Sequence, residues 1–134
     1  MTTSPTTPGT EAATPTPFRV TAEAWKDLPK MPDAEYPGTD GYIGDVYVNP
    51  DGSTMCSGFF ELRHTDPALV YEYTYDEMKV VLEGEFLLEN IDTGQKTVAK
   101  AKDAIFFPKG SRIAFTTPSY ALAFYTGDRN GDSL

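Results

Sequence analysis

The stretch Tyr71-Glu72-Tyr73-Thr74-Tyr75-Asp76-Glu77-Met78-Lys79-Val80-Val81-Leu82-Glu83-Gly84 decides how the chain is read. Its first half alternates aromatic with polar residues. In an extended strand, residues of like parity face one side. Tyr71, Tyr73, Tyr75, Glu77 and Lys79 therefore share one face, and Glu72 and Thr74 take the other. Its second half is apolar up to Gly84, a residue type that inside a strand marks a bend.

Working outward, short β segments are expected at 42–48, 54–64, 70–75, 78–89, 96–100, 104–107, 112–116 and 121–126. Turn signals separate them: Asn49-Pro50-Asp51-Gly52-Ser53, Asp66-Pro67 and Asn90-Ile91-Asp92-Thr93-Gly94. Many short strands at this spacing indicate an all-β sandwich or barrel. No segment after Trp25 has helical periodicity. Before the strands, residues 21–26 can make one helical turn, with Thr21 as its cap and Trp25 as an anchor onto the barrel. Residues 28–40 carry three prolines and a glycine and should wrap the surface. Residues 1–17, with seven Thr and four Pro, are expected to be a disordered tail, leaving 18–134 as a single domain.

Composition narrows the function. A chain of 134 residues carrying net charge −9 lacks the basic face that nucleic acid or an anionic membrane requires. No run approaches the length of a membrane span, and no leader is read at the start. Cys56, the single cysteine, excludes an internal disulfide and fits a reducing cytoplasm. His64 is the single histidine, which removes most imidazole chemistry. Eight Tyr and eight Phe suit a compact β fold with an aromatic-lined pocket.

Glu77 followed at the proper interval by Gly84, and Pro108-Lys109-Gly110 in the second segment Ala101–Ile113, resemble the two motifs of the cupin superfamily. Within it, Tyr75-Asp76-Glu77, Val81-Leu82-Glu83-Gly84-Glu85, Phe107-Pro108-Lys109-Gly110-Ser111, Thr117-Pro118 and Phe124-Tyr125 are similar to the ethanolamine-utilisation EutQ-like group. The resemblance runs over residues 42–129. It implies a double-stranded β-helix (jelly-roll) barrel that closes its edges and leaves room for one small ligand.

The departure from the superfamily is the more informative feature. Ordinary cupins hold a divalent metal with three His and one Glu. Here the first two His positions fall on Val70 and Glu72, or on Tyr71 and Tyr73, and the third falls on Ile113. Only the Glu position, Glu77, remains. A lone carboxylate among phenols and aliphatics is a poor transition-metal site, so no metal and no other cofactor is expected. The residual alternative is a weak site using His64, Glu72 or Glu77.

With Glu77 inward, Tyr73, Tyr75 and Lys79 are its companions and the candidate catalytic set. Tyr71, Glu72, Phe107, Ile113, Phe115 and Tyr125 are the candidate substrate contacts. A carboxylate beside phenols can move a proton next to a carbonyl, with hydroxyls stabilising the enolate. That capacity covers lyase, isomerase and cyclase reactions. Bland readings stand beside it. Glu77–Lys79 can be a structural ion pair, and the tyrosine stripe can be cross-strand packing. Phe106, Phe107, Phe115, Phe124 and Tyr125 can be core. Cys56 reads as a buried strand residue, His64 as a surface or capping residue, and Lys109 as solvated.

Three functions compete: a metal-independent enzyme acting on a small carbonyl compound, a ligand-binding or accessory module of EutQ type, and the acetate kinase activity associated with the EutQ-like group. The third finds no Gly-x-x-x-x-Gly-Lys-Ser/Thr loop here. The expected partners are a small molecule in the barrel and, by resemblance to small cupins, a second copy. Residues 18–20 would be the exchanged arm of that homodimer.

Overall fold

The computed structural model describes residues 17–49 and 54–129. Eight strands follow in chain order: β1 (Gly41–Val48), β2 (Cys56–Arg63), β3 (Leu69–Glu72), β4 (Glu77–Asn90), β5 (Lys96–Lys100), β6 (Ala104–Phe107), β7 (Arg112–Thr116) and β8 (Tyr120–Gly127). Each expected segment is present within a few residues. The third ends early, at Glu72. Tyr73 leaves the β3–β7 ladder but keeps its backbone satisfied, donating to Ser111 O at 2.8 Å and accepting from Gly110 N at 2.7 Å.

The strands form one curled antiparallel sheet, ordered β1-β2-β8-β4-β7-β3, with β5 and β6 also paired to β4. The long strand β4 organises it. Its first part pairs with β6 and β8, and its last part with β5 and β7. Gly84 stands where β4 changes partners, with φ +70°, and a Cβ there would lie 1.9 Å from Tyr120 O. Only glycine fits this bend, as its position in the sequence suggested. No ladder joins β1 to β3 among the described residues, so the sheet is a half-barrel rather than a closed one. Side chains bridge the gap: Gly41 on β1 faces Leu69 of β3 and Met31.

The core lies in the concavity. Phe60, Leu62, Leu69, Val81, Phe86 and Phe115 are buried there. Phe60 and Phe86 stack at 5.6 Å, and Phe115 meets both edge-on. Aromatic pairs of this geometry add about 0.5–1.5 kcal/mol each beyond area burial.

Several expectations need correction. Phe106 and Phe124 are not core; they are 55% and 38% exposed on the convex face. The strands there follow period-2 alternation, so each sits opposite its buried neighbour, Phe107 or Tyr125. Residues 22–25 form a turn, not a helix. Trp25 stays exposed, and Thr21 Oγ1 bonds the Tyr47 hydroxyl at 2.7 Å instead of capping. Residues 28–40 do wrap the surface, held by Met31 N→Gly41 O at 2.9 Å and Ile43 N→Pro29 O at 3.0 Å. The expected tail, apart from Pro17, and most of the Asn49–Ser53 turn lie outside the described residues.

Candidate functional site

Alternation along β4 sends Glu77 and Lys79 into the concavity, where they are 2% and 4% exposed. The β3–β4 connection carries Tyr73 and Tyr75 in beside them. Lys79 Nζ ion-pairs with Glu77 Oε2 and donates to the Tyr73 hydroxyl at 3.3 Å. Around the ammonium stand five aromatic rings. Phe60 and Tyr125 lie 5.3 Å away, Tyr73 and Phe115 5.7 Å, and Phe107 5.8 Å. Cation–π attraction offsets part of what the charge loses in leaving water.

The tyrosine stripe runs outward from this pair. Tyr73 stacks on Phe107 at 4.8 Å and meets Tyr71 edge-on at 4.7 Å. The Tyr71 and Tyr75 hydroxyls are 2.6 Å apart. Tyr36, from the surface strap, stacks over Tyr71 at 6.3 Å. Burial, reinforced by the Glu77 charge, pushes the Tyr73 phenol well above its ordinary pKa. Burial also raises Tyr71 and Tyr75. All three are therefore hydrogen-bond donors at neutral pH. The space left between them is small. A cavity of about 10 Å³, lined by Tyr71, Tyr73, Tyr75, Glu77, Lys79 and Phe115 with Met31 and Ile43 among its walls, holds one water at most.

A second buried polar cluster escaped the sequence reading. Arg129 donates to both carboxylate oxygens of Asp45, at 2.9 and 3.1 Å, and Tyr125 donates to Asp45 Oδ1 at 2.6 Å. The Arg129 guanidinium also lies 5.3 Å from the Tyr75 ring, which links this cluster to the stripe. The available signal was Asp45 itself, a lone carboxylate in the aromatic and apolar strand Gly41–Val48, where a β-bulge follows it. Its partner lies 84 residues away, beyond any local pattern.

The candidate residues do not all converge. Glu72 is exposed on the outer face of β3, so it is no contact of the interior; alternation puts it opposite in sense to Tyr71 and Tyr73. Ile113 lines a separate groove of about 450 Å³ between β5, β6 and β7; Phe107 lines it too, while its ring also walls the Lys79 cage. Phe115 belongs to the inner cavity, and the Tyr125 hydroxyl is committed to Asp45. His64 sits at the end of β2 with Nδ1 2.9 Å from Thr117 O, and it is exposed. Cys56 is buried in β2, and desolvation raises its thiol pKa, leaving it a poor nucleophile.

The residues do not fit a cupin metal. No three His, Cys, Asp or Glu side chains among the described residues converge as a ligand set. His64 and Glu72 are exposed while Glu77 is buried. The one carboxylate at a ligand position is already paired with an ammonium, so a divalent cation placed there would meet a like charge.

The model of the ethanolamine utilisation protein EutQ family matches residues 16–127. Acetate kinase EutQ of Escherichia coli is 37% identical over 93 residues, covering 69% of this chain and 38% of that protein. The chain thus spans well under half the length of that relative. A crystal structure of an ethanolamine utilization protein Q from Salmonella typhimurium superposes with TM-score 0.66 at 29% identity, over 77% of this chain and 79% of that one. The Clostridium difficile EutQ structure gives TM-score 0.65 at 26% identity, over 75% and 76%. The curled sheet, the Glu77–Gly84 strand and the extent of these matches place the chain in the EutQ family of cupins.

Proposed function

We propose that the chain is a small cupin enzyme that moves a proton beside the carbonyl of a small ligand held at the Glu77–Lys79 pair. One observation carries the reading: an ammonium and a carboxylate are both almost fully buried, and they meet at the centre of the fold. Desolvating two charges costs several kcal/mol per ion, and apolar residues of similar volume fold as well or better. A buried pair beside phenol donors in the concavity supports an acid–base reading. Glu77 takes the α-proton. Lys79 and Tyr73 donate to the carbonyl oxygen and stabilise the enolate as its charge develops. Lyase, isomerase and cyclase reactions all share this step.

The test needs no knowledge of the full reaction. A panel of short aldehydes, ketones and β-keto acids in D2O is followed by proton NMR for loss of the α-proton signal. Exchange well above the buffer rate, lost in Glu77→Gln, supports the reading. Exchange at the buffer rate for every probe rejects it.

A non-catalytic accessory module is the second reading, and the cavity of about 10 Å³ favours it, since a ligand enters only if the tyrosines move. The acetate kinase activity named for the Escherichia coli relative is a third; calorimetry with ATP and Mg²⁺ giving no heat removes it. The chain is also read as a homodimer. Met78, Phe106 and Phe124 form an exposed apolar face across neighbouring strands, and Phe18 and Val20 are exposed beside the strap. A monomer mass by light scattering at micromolar concentration contradicts that.

A further inference from the structure

Among the described residues, Lys79 is the lysine buried in the concavity, held between a carboxylate and aromatic rings. Lys100 and Lys109 are exposed, whereas Lys79 is buried. Its polar contacts are Glu77 and the Tyr73 hydroxyl, and five aromatic rings stand around its ammonium. The pair faces a small cavity that Tyr71, Tyr73 and Tyr75 also line. Desolvated lysines of this kind form imines with carbonyl compounds.

We infer that Lys79 condenses with a short uncharged aldehyde or ketone, forming an imine inside the concavity. The inference deepens the proton-transfer reading and rests on it. In the proposed step Lys79 passes one proton to Glu77, and its lone pair attacks the carbonyl carbon as the carbon–oxygen π bond opens. Glu77 gives its proton to the oxygen and takes the one released from nitrogen. It then protonates the hydroxyl, which leaves as water, and the protonated imine stands against the Glu77 carboxylate. Ammonium plus carbonyl becomes iminium plus water, with no oxidant or reductant. The class of ligand follows from the walls. Five rings and an existing carboxylate favour a neutral, apolar molecule over an anionic one. The iminium then withdraws electrons from the α-carbon more strongly than a hydrogen-bonded carbonyl, which eases the proton transfer assigned to Glu77.

The test is reductive trapping on the full chain with propanal and cyanoborohydride, followed by peptide mapping by mass spectrometry. Lys79 is expected to be alkylated at least about tenfold faster than Lys100 or Lys109, and faster with propanal than with glyoxylate. Glu77→Gln is expected to slow Lys79 by about tenfold or more while leaving the exposed lysines unchanged. A purely structural lysine gives the reverse order, because burial protects it. Lys79 labelled no faster than the exposed lysines overturns the inference, whatever the fate of the variant. Glu77-dependent α-proton exchange without Lys79 labelling removes the imine and keeps the acid–base site. Labelling of Lys79 without exchange keeps the imine and removes the proton-transfer reading.

Discussion

Lys79 and Glu77 stand two residues apart on one strand, and their charged ends meet inside the fold rather than across it. The pair is thus assembled by local geometry and buried by everything else. Removing one partner leaves the other charge in an aromatic interior. Lys79→Met alone should cost about 3–5 kcal/mol of stability, and Glu77→Gln with Lys79→Met should recover most of it. Urea unfolding of the single and double variants decides this. A neutral Lys79→Met means that the pair is not isolated from water.

Gly84 should be intolerant of any side chain. Its φ of +70° and a Cβ position 1.9 Å from Tyr120 O act together, so Gly84→Ala is expected to cost about 3 kcal/mol or more. Gly94 shares the backbone sign, φ +79°, but a Cβ there meets nothing within 4 Å. Gly94→Ala should cost only about 1 kcal/mol, the strain of the left-handed region alone. Equal losses for the two in chemical denaturation contradict the bend assigned to Gly84.

The Asp45–Arg129 link ties the end of the described chain to β1. Asp45→Asn removes the carboxylate charge that pairs with Arg129, a residue 6% exposed, and a loss of about 3 kcal/mol is expected. Thermal unfolding measures it, and a change within about 0.5 kcal/mol, usual for surface substitutions, would remove the structural role given to this contact.

Alkaline pH should unfold the protein earlier than its charge alone predicts. A phenol kept neutral by burial has a folded-state pKa above its unfolded value. Its contribution is complete below the unfolded value of 10.0 and is lost as pH climbs through the folded one, about 12 for Tyr36. Burial raises Tyr71, Tyr73 and Tyr75 in the same direction. Stability should therefore fall between pH 10 and about 12. Phenolate absorbance near 295 nm, followed with circular dichroism, should rise with unfolding, about in step. Tyrosine ionisation complete while the fold persists would contradict the buried stripe.

Much of this architecture was legible because its causes are local. Parity in a strand is a two-residue rule, so Tyr71, Tyr73, Tyr75, Glu77 and Lys79 could be put on one face from their order alone. Gly84 was readable for the same reason: a glycine in an apolar run has few other uses. What local rules cannot reach is which strands become neighbours. Asp45 and Arg129 are 84 residues apart, and their meeting depends on β1, β2 and β8 lying side by side. The separate groove holding Ile113 follows from the same long-range pairing, and so does the choice of which alternating face of β6 and β8 is buried. Cavity volume was equally out of reach. The residue types promised a pocket, and Lys79, Phe60, Tyr73 and Phe115 line one of only about 10 Å³.

Proton transfer at this pair requires a ligand to reach Glu77 and Lys79 past Tyr71 and the strap. Soaking crystals of the full chain with acetohydroxamate, a stable mimic of an enolate, addresses that in one electron-density map. The mimic is expected inside the concavity, within hydrogen-bond reach of Glu77, Lys79 and the Tyr73 hydroxyl, with Tyr71 displaced. Density confined to the groove between β5, β6 and β7, beside an undisturbed Lys79–Glu77 pair, would contradict it.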